Sequence, residues 1–208
     1  MKGLLLKDFY MTLKYCRSFL LLVIVFLAVS FAGENNLFFA AYPCIFCGMI
    51  PVFLLSYDER SKWDVYSGTL PYSKAQLVSV KYLIGLCIEA IVLVLSGAAQ
   101  AVRMSMAGTF AVGDWLILMS VFLVMALLAP TTSLPFMFQL GVEKGRVAYY
   151  VAMGTLCATA FILQDVLGKA QSPQTVFHGV LPILCLAVIA LYALSWYLSI
   201  LFYQKREL

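Results

Sequence analysis

Three groups of residues in this 208-residue chain have the side chains for chemistry. The first is the charged run Ser56-Tyr57-Asp58-Glu59-Arg60-Ser61-Lys62-Trp63-Asp64, followed by Tyr66 and set between two long apolar stretches. Mixed charges with Trp63 and Tyr66 suit a docking face, because aromatics anchor interfaces. The same two rings also suit the membrane–water boundary. The second is Glu89, in Leu86-Cys87-Ile88-Glu89-Ala90-Ile91. A carboxylate so deep in an apolar run must face a bundle interior, pair, or take a proton. It reads either as part of a translocation path or gate, or as a group that joins helices. The third is Cys44-x-x-Cys47, a spacing that redox and metal pairs use. Zinc needs further ligands, the single histidine is the remote His178, and redox work needs an accessible thiolate. A chance pairing in an apolar helix is the better account, with a membrane thiol-redox protein as the alternative.

Standard catalytic patterns are missing. The chain has no Gly-x-x-x-x-Gly-Lys-Ser/Thr phosphate loop, no nucleophile elbow and no His-Glu-x-x-His. No catalytic residue, metal ligand or cofactor is expected in this chain.

The elements that position these groups follow from composition. Hydrophobic residues make up 63% of the chain and charged residues 12%, with mean hydropathy +0.96. A soluble domain is nearer half apolar and a quarter charged. The expected fold class is therefore an all-α integral membrane protein, a single transmembrane domain over residues 1–208. The six cysteines lie in or beside apolar runs, where reduced thiols act as small hydrophobes. No cleavable signal peptide is expected, because the apolar run after Arg17 has no small-residue cleavage site.

A bilayer-spanning helix needs about 20 mostly apolar residues. Six stretches qualify: 18–32, 37–56, 77–99, 115–138, 147–164 and 179–203. With both ends on one side, that side holds Lys2, Lys7, Lys14, Arg17, Arg60, Lys62, Lys74, Lys81, Lys144, Arg146, Lys205 and Arg206. Only Arg103 and Lys169 of the 14 basic residues remain for the other. The positive-inside rule then predicts two cytoplasmic termini and an even number of spans. The net charge of +4 is thus a matter of topology, and no nucleic-acid partner is expected.

Residues 1–17 read as an amphipathic interfacial helix, with Leu6, Phe9, Leu13 and Cys16 on one face and Lys7 and Lys14 on another. Ser56-x-x-Glu59 has the form of a capping box, and Asp58–Lys62 and Arg60–Asp64 are spaced for helical ion pairs. This predicts a discrete helix of about three turns, ended by Gly68 and Pro71. Ser73-x-x-Gln76 predicts the start of the next helix. Pro43, Pro51, Pro130 and Pro135 each remove a helical hydrogen bond, which the neighbouring Thr131, Thr132 and Ser133 hydroxyls are placed to compensate.

Taken together, a basic amphipathic start, two spans, then Tyr57-Asp58-Glu59-Arg60-Ser61-Lys62-Trp63-Asp64 and Thr69-Leu70-Pro71-Tyr72-Ser73-Lys74 form a familiar order. Leu134-Pro135-Phe136-Met137-Phe138-Gln139-Leu140-Gly141 and Glu143-Lys144-Gly145-Arg146 complete it. The whole chain resembles the permease subunits of bacterial ABC transporters of the ABC-2 type, in particular the small six-span members. The resemblance implies a half-transporter in the bacterial plasma membrane, paired with a second copy or a related permease. It implies a separate ATPase that binds ATP and Mg. The segment 57–70 would be the coupling helix, with Tyr57, Asp58, Glu59, Arg60, Lys62, Trp63, Asp64 and Tyr66 toward that ATPase. Glu143, Lys144 and Arg146 would make a second cytosolic contact. Related permeases export peptides or confer resistance to them. A peptide or other hydrophobic or amphipathic substrate is therefore implied, with a non-catalytic immunity protein as the alternative.

Overall fold

The computed structural model describes residues 2–32, 37–145, 147, 150, 154 and 173–205. Among them the regular elements are all helical: α1 (Lys2–Tyr15), α2 (Arg17–Ala32), α3 (Leu37–Gly48), α4 (Ile50–Arg60), α5 (Trp63–Ser67), α6 (Lys74–Met106), α7 (Val112–Leu140) and α8 (Pro173–Lys205). Continuous apolar runs force this outcome, because only a helix satisfies its own backbone in lipid.

Four candidate spans are long and apolar enough to cross a membrane among the described residues: Phe39–Arg60, Lys74–Met106, Val112–Leu140 and Pro182–Lys205. A fifth arises if α1 and α2, which meet at 67°, count as one broken span. The expected span 147–164 lies almost wholly outside the described residues, as do residues 33–36 and Arg146. The third and fourth spans are longer than the sequence reading gave them. α6 continues to Met106 and α7 begins at Val112, so most of the sequence from 100 to 114, between the two expected spans, is helix.

Two apolar clusters hold the bundle. One joins α4, α6, α7 and α8 through Leu55, Tyr82, Leu134, Met137 and Tyr192. The other joins α2, α3, α4, α6 and α7 through Val23, Cys44, Ile50, Val92 and Phe122. A polar seam runs between α6 and α8, where the Tyr82 hydroxyl lies 2.8 Å from Ser195 Oγ and 2.7 Å from Ser199 Oγ. Tyr82 also stacks on Trp196, whose indole N–H donates to Ser79 at 3.1 Å.

Pro135 of α7 shows how a freed carbonyl is repaired. Pro135 cannot donate to the Thr131 carbonyl four residues earlier. Ser195 of α8 donates to that oxygen instead, at 2.9 Å. Ser133 and Thr132 bond back to the Ala129 and Leu128 carbonyls at 2.6 and 3.0 Å, and neither of these is the Ala126 carbonyl that Pro130 frees.

One expected element is absent. The Ser56-x-x-Glu59 pattern does not start a helix, because α4 enters from Ile50 and runs through Ser56 to Arg60. Leu54 and Leu55 are buried on the same helix and carry it across the predicted cap. The break comes later, at Ser61 and Lys62, where Lys62 takes a left-handed φ of 52°. The five-residue α5 follows, so the 57–70 segment is a helix end, a turn and a short helix, rather than one discrete helix. Ser73 and Gln76 do form a reciprocal capping box that starts α6.

Candidate functional site

α1 sets one side of the site. Leu4, Asp8, Thr12 and Cys16 recur every four residues and are buried. Leu6, Phe9, Tyr10 and Leu13 are exposed. The helix therefore turns a polar stripe to the bundle and an apolar face outward. Leu6, Phe9 and Leu13 share the outward face as expected, but Cys16 belongs to the buried stripe. Lys7 is directed inward rather than at lipid headgroups.

The polar stripe meets two other helices in a four-charge cluster. Lys81 of α6 places Nζ 2.8 Å from Asp8 Oδ2 and 2.5 Å from Asp58 Oδ2. Lys7 of α1 lies 2.6 Å from Asp58 Oδ1 and 3.4 Å from Asp8 Oδ1. Two carboxylates face two ammonium groups, so the cluster is formally neutral. Asp8, Asp58 and Lys81 are almost completely buried, which makes each dependent on the others. Asp58 pairs neither with Lys62 nor with solvent. Its expected place on a docking face gives way to a structural one.

The cluster fixes what lies outside it. Lys7 Nζ also sits 3.8 Å from the centre of the Trp63 ring, a cation–π contact that ties α5 to α1. Trp63 packs in turn on Tyr66, with ring centres 5.4 Å apart. Tyr57 stacks on Tyr15 at 4.6 Å. Beyond these contacts Val65 and Tyr66 remain exposed, at 72% and 58%. Arg60 and Lys62 are exposed as well. The side chain of Asp64 lies outside the described residues.

Two segments that the sequence separates are joined here. Glu59 Oε2 accepts a hydrogen bond from the Val142 backbone N–H at 3.0 Å. Gly141 ends α7 with φ 84° and ψ 168°, a conformation open to glycine. Gly145 closes the next turn, where an added Cβ would come within 2.7 Å of the Met137 backbone. Between the two segments lies a cleft of about 430 Å³ lined by Ser56, Glu59, Arg60, Leu140, Val142, Glu143 and Lys144, among others. Glu143 and Lys144 are exposed at its rim.

A model of the ABC-2 family transporter protein matches residues 3–204. The chain belongs to that family. It is thus a permease, the membrane transport component of an ABC transporter, and the family implies an ABC ATPase as partner. Curated proteins and solved structures gave no match to this permease.

Glu89 lies outside the four-charge cluster of the permease. It is buried in α6, against Gly48 at the end of α3, and its carboxylate has no hydrogen-bond partner among the described residues. Cys44 and Cys47 are free and buried, and the Cys44 thiol donates to Ser96 Oγ at 3.8 Å. No group able to hold a metal ion occurs among the described residues.

Lys7, Asp8 and Lys81 were missed as site residues. A signal existed for Lys81: a cation inside the apolar stretch 77–99 demands a partner, and Asp8 is the single acid in the basic N-terminal segment.

Proposed function

We propose that this permease is half of the membrane domain of an ATP-driven exporter. In this reading it has six spans and two cytoplasmic termini in a bacterial plasma membrane. It pairs with a second copy or a related permease, and each half docks on an ATPase that binds ATP and Mg. The exposed edge of 57–70, chiefly Arg60, Lys62, Val65 and Tyr66, enters the ATPase, and Glu143, Lys144 and Arg146 add a second contact. Tyr57, Asp58, Glu59 and Trp63 hold that edge in place. Closure of the ATPases then moves α4 and alternates the access of the bundle, with Glu89 at the gate. An apolar bundle suits a hydrophobic or amphipathic cargo, and a peptide fits that class.

The observation that carries this reading is the buried four-charge cluster behind an exposed Val65–Tyr66 edge. A surface loop with no partner has no need of an apolar tip held by ions at its back. Co-expression with the ABC ATPase tests it. Val65→Asp with Tyr66→Ala should abolish co-purification and cargo-stimulated ATP turnover while the permease keeps its melting temperature. An intact complex with unchanged turnover would remove 57–70 from the interface. Protection of cells from a peptide when the ATPase is inactive would point instead to sequestration without transport.

A further inference from the structure

Glu89 has a geometry that transport coupling does not explain. A methyl group added at Gly48 would lie 2.7 Å from the Ala126 carbonyl oxygen, 3.1 Å from Glu89 Oε1 and 3.2 Å from Pro130 Cδ. Three helices therefore converge on one spot where α3 ends. The Ala126 carbonyl is the one that Pro130 leaves without its helical donor, since proline has no N–H four residues on. Two acceptors thus face the same point, one a carboxylate and the other a freed carbonyl. Neither Glu89 oxygen has a donor among the described residues.

Among the described residues the surroundings offer no cation. On α3 the titratable neighbours are Cys44 and Cys47, and on α8 Tyr192, all within electrostatic reach of Glu89. The Cys44 thiol is committed to Ser96 and the Tyr192 hydroxyl to the Tyr82 carbonyl at 3.0 Å. On α7 the facing residues, Ala126 and Pro130, carry no charge. Among the described residues an ionised carboxylate here has no partner to offset its burial.

We propose that Glu89 is an intramembrane proton-binding site. The carboxylate takes one proton from solvent, and the neutral acid donates it as a hydrogen bond to the Ala126 carbonyl, joining α6 to α7 beside Gly48. The site belongs to the permease alone and holds whatever its partner or cargo. Ionisation would leave two unsatisfied acceptors at the α3 end and loosen this junction.

Infrared spectroscopy of the purified, reconstituted permease tests the site without an ATPase. The wild type should show the carbonyl stretch of an un-ionised carboxyl at neutral pH. That band should vanish in Glu89→Gln and shift in Glu89→Asp, which retains an acid if the Gln variant folds poorly. Superimposable spectra of wild type and either variant would overturn the proposal. Thermal unfolding gives a second reading. The melting temperature of the wild type should fall as pH rises above the ordinary carboxyl range, while that of Glu89→Gln stays level. Parallel profiles, or a wild type stabilised by added potassium with no acid band, would also overturn it.

Discussion

Lys81 lies 2.5 Å from Asp58, with 22 residues and a change of helix between them, and the pair is closed off from solvent. Asp8 and Lys7 complete the cluster from a third helix. Three helices, α1, α4 and α6, are thus held by one set of ion pairs.

Breaking that set should be costly. Lys81→Met leaves two buried carboxylates against the single remaining lysine, and loss of one partner from a buried pair costs about 3–5 kcal/mol. A large fall in melting temperature of the purified permease is expected. Asp58→Leu with Lys81→Met should recover part of it, since Lys7 and Asp8 then remain balanced. A double variant no better than Lys81→Met would show that the cluster is not cooperative.

The Pro135 repair offers a gentler perturbation. Ser195→Ala removes the donor to the Thr131 carbonyl and a partner of the Tyr82 hydroxyl. A buried acceptor left unsatisfied costs about 1–3 kcal/mol. Ser199→Ala takes only the second kind of contact among the bonds seen here, and Tyr82 keeps Ser195. The Ser195 variant should melt at the lower temperature of the two, and the reverse order would refute the repair.

Close packing of α6 on α4 gives a third expectation. An added Cβ at Gly85 would meet Pro51 Cγ at 2.6 Å. Overpacking of this kind costs about 1–3 kcal/mol. Gly85→Ala should lower the melting temperature, whereas Gly113→Ala, with open space around it, should not. Equal effects would mean that α4 yields easily at Pro51.

The cysteine pair provides a control. Cys44→Ala with Cys47→Ala should leave ATP-driven transport unchanged and abolish no redox-dependent mobility shift, because none is expected from two buried thiols. Loss of transport in that variant, with an unchanged melting temperature, would reopen a redox role.

What the sequence disclosed was local. The apolar runs 77–99 and 115–138 located α6 and α7, and Ser73 with Gln76 marked a helix start. The capping pattern at Ser56 misled because a four-residue motif carries no record of a helix already arriving through Leu54 and Leu55. Helical spacing pairs Asp58 with Lys62, yet its partners are Lys7 and Lys81. Periodicity along one helix does not record which faces of separate helices meet. The same limit hid the inward turn of α1, whose buried stripe is polar and whose apolar face looks like that of a helix packed the other way round.

The break between α3 and α4 has a mechanical consequence. From Ile50 to Arg60 the chain is one uninterrupted helix, packed along the bundle and reaching the segment that bears Val65 and Tyr66. Eleven residues make a lever of about 16 Å, at about 1.5 Å per residue. A rotation of about 10° at Met49 would carry its far end about 3 Å, with the helix itself unbent. Pro51 and Gly48 flank that fulcrum, while the load at the other end is tied to α1 and α6 by charge. A force applied at the tip is therefore felt at Met49, beside Glu89, with a mechanical advantage fixed by the length of α4.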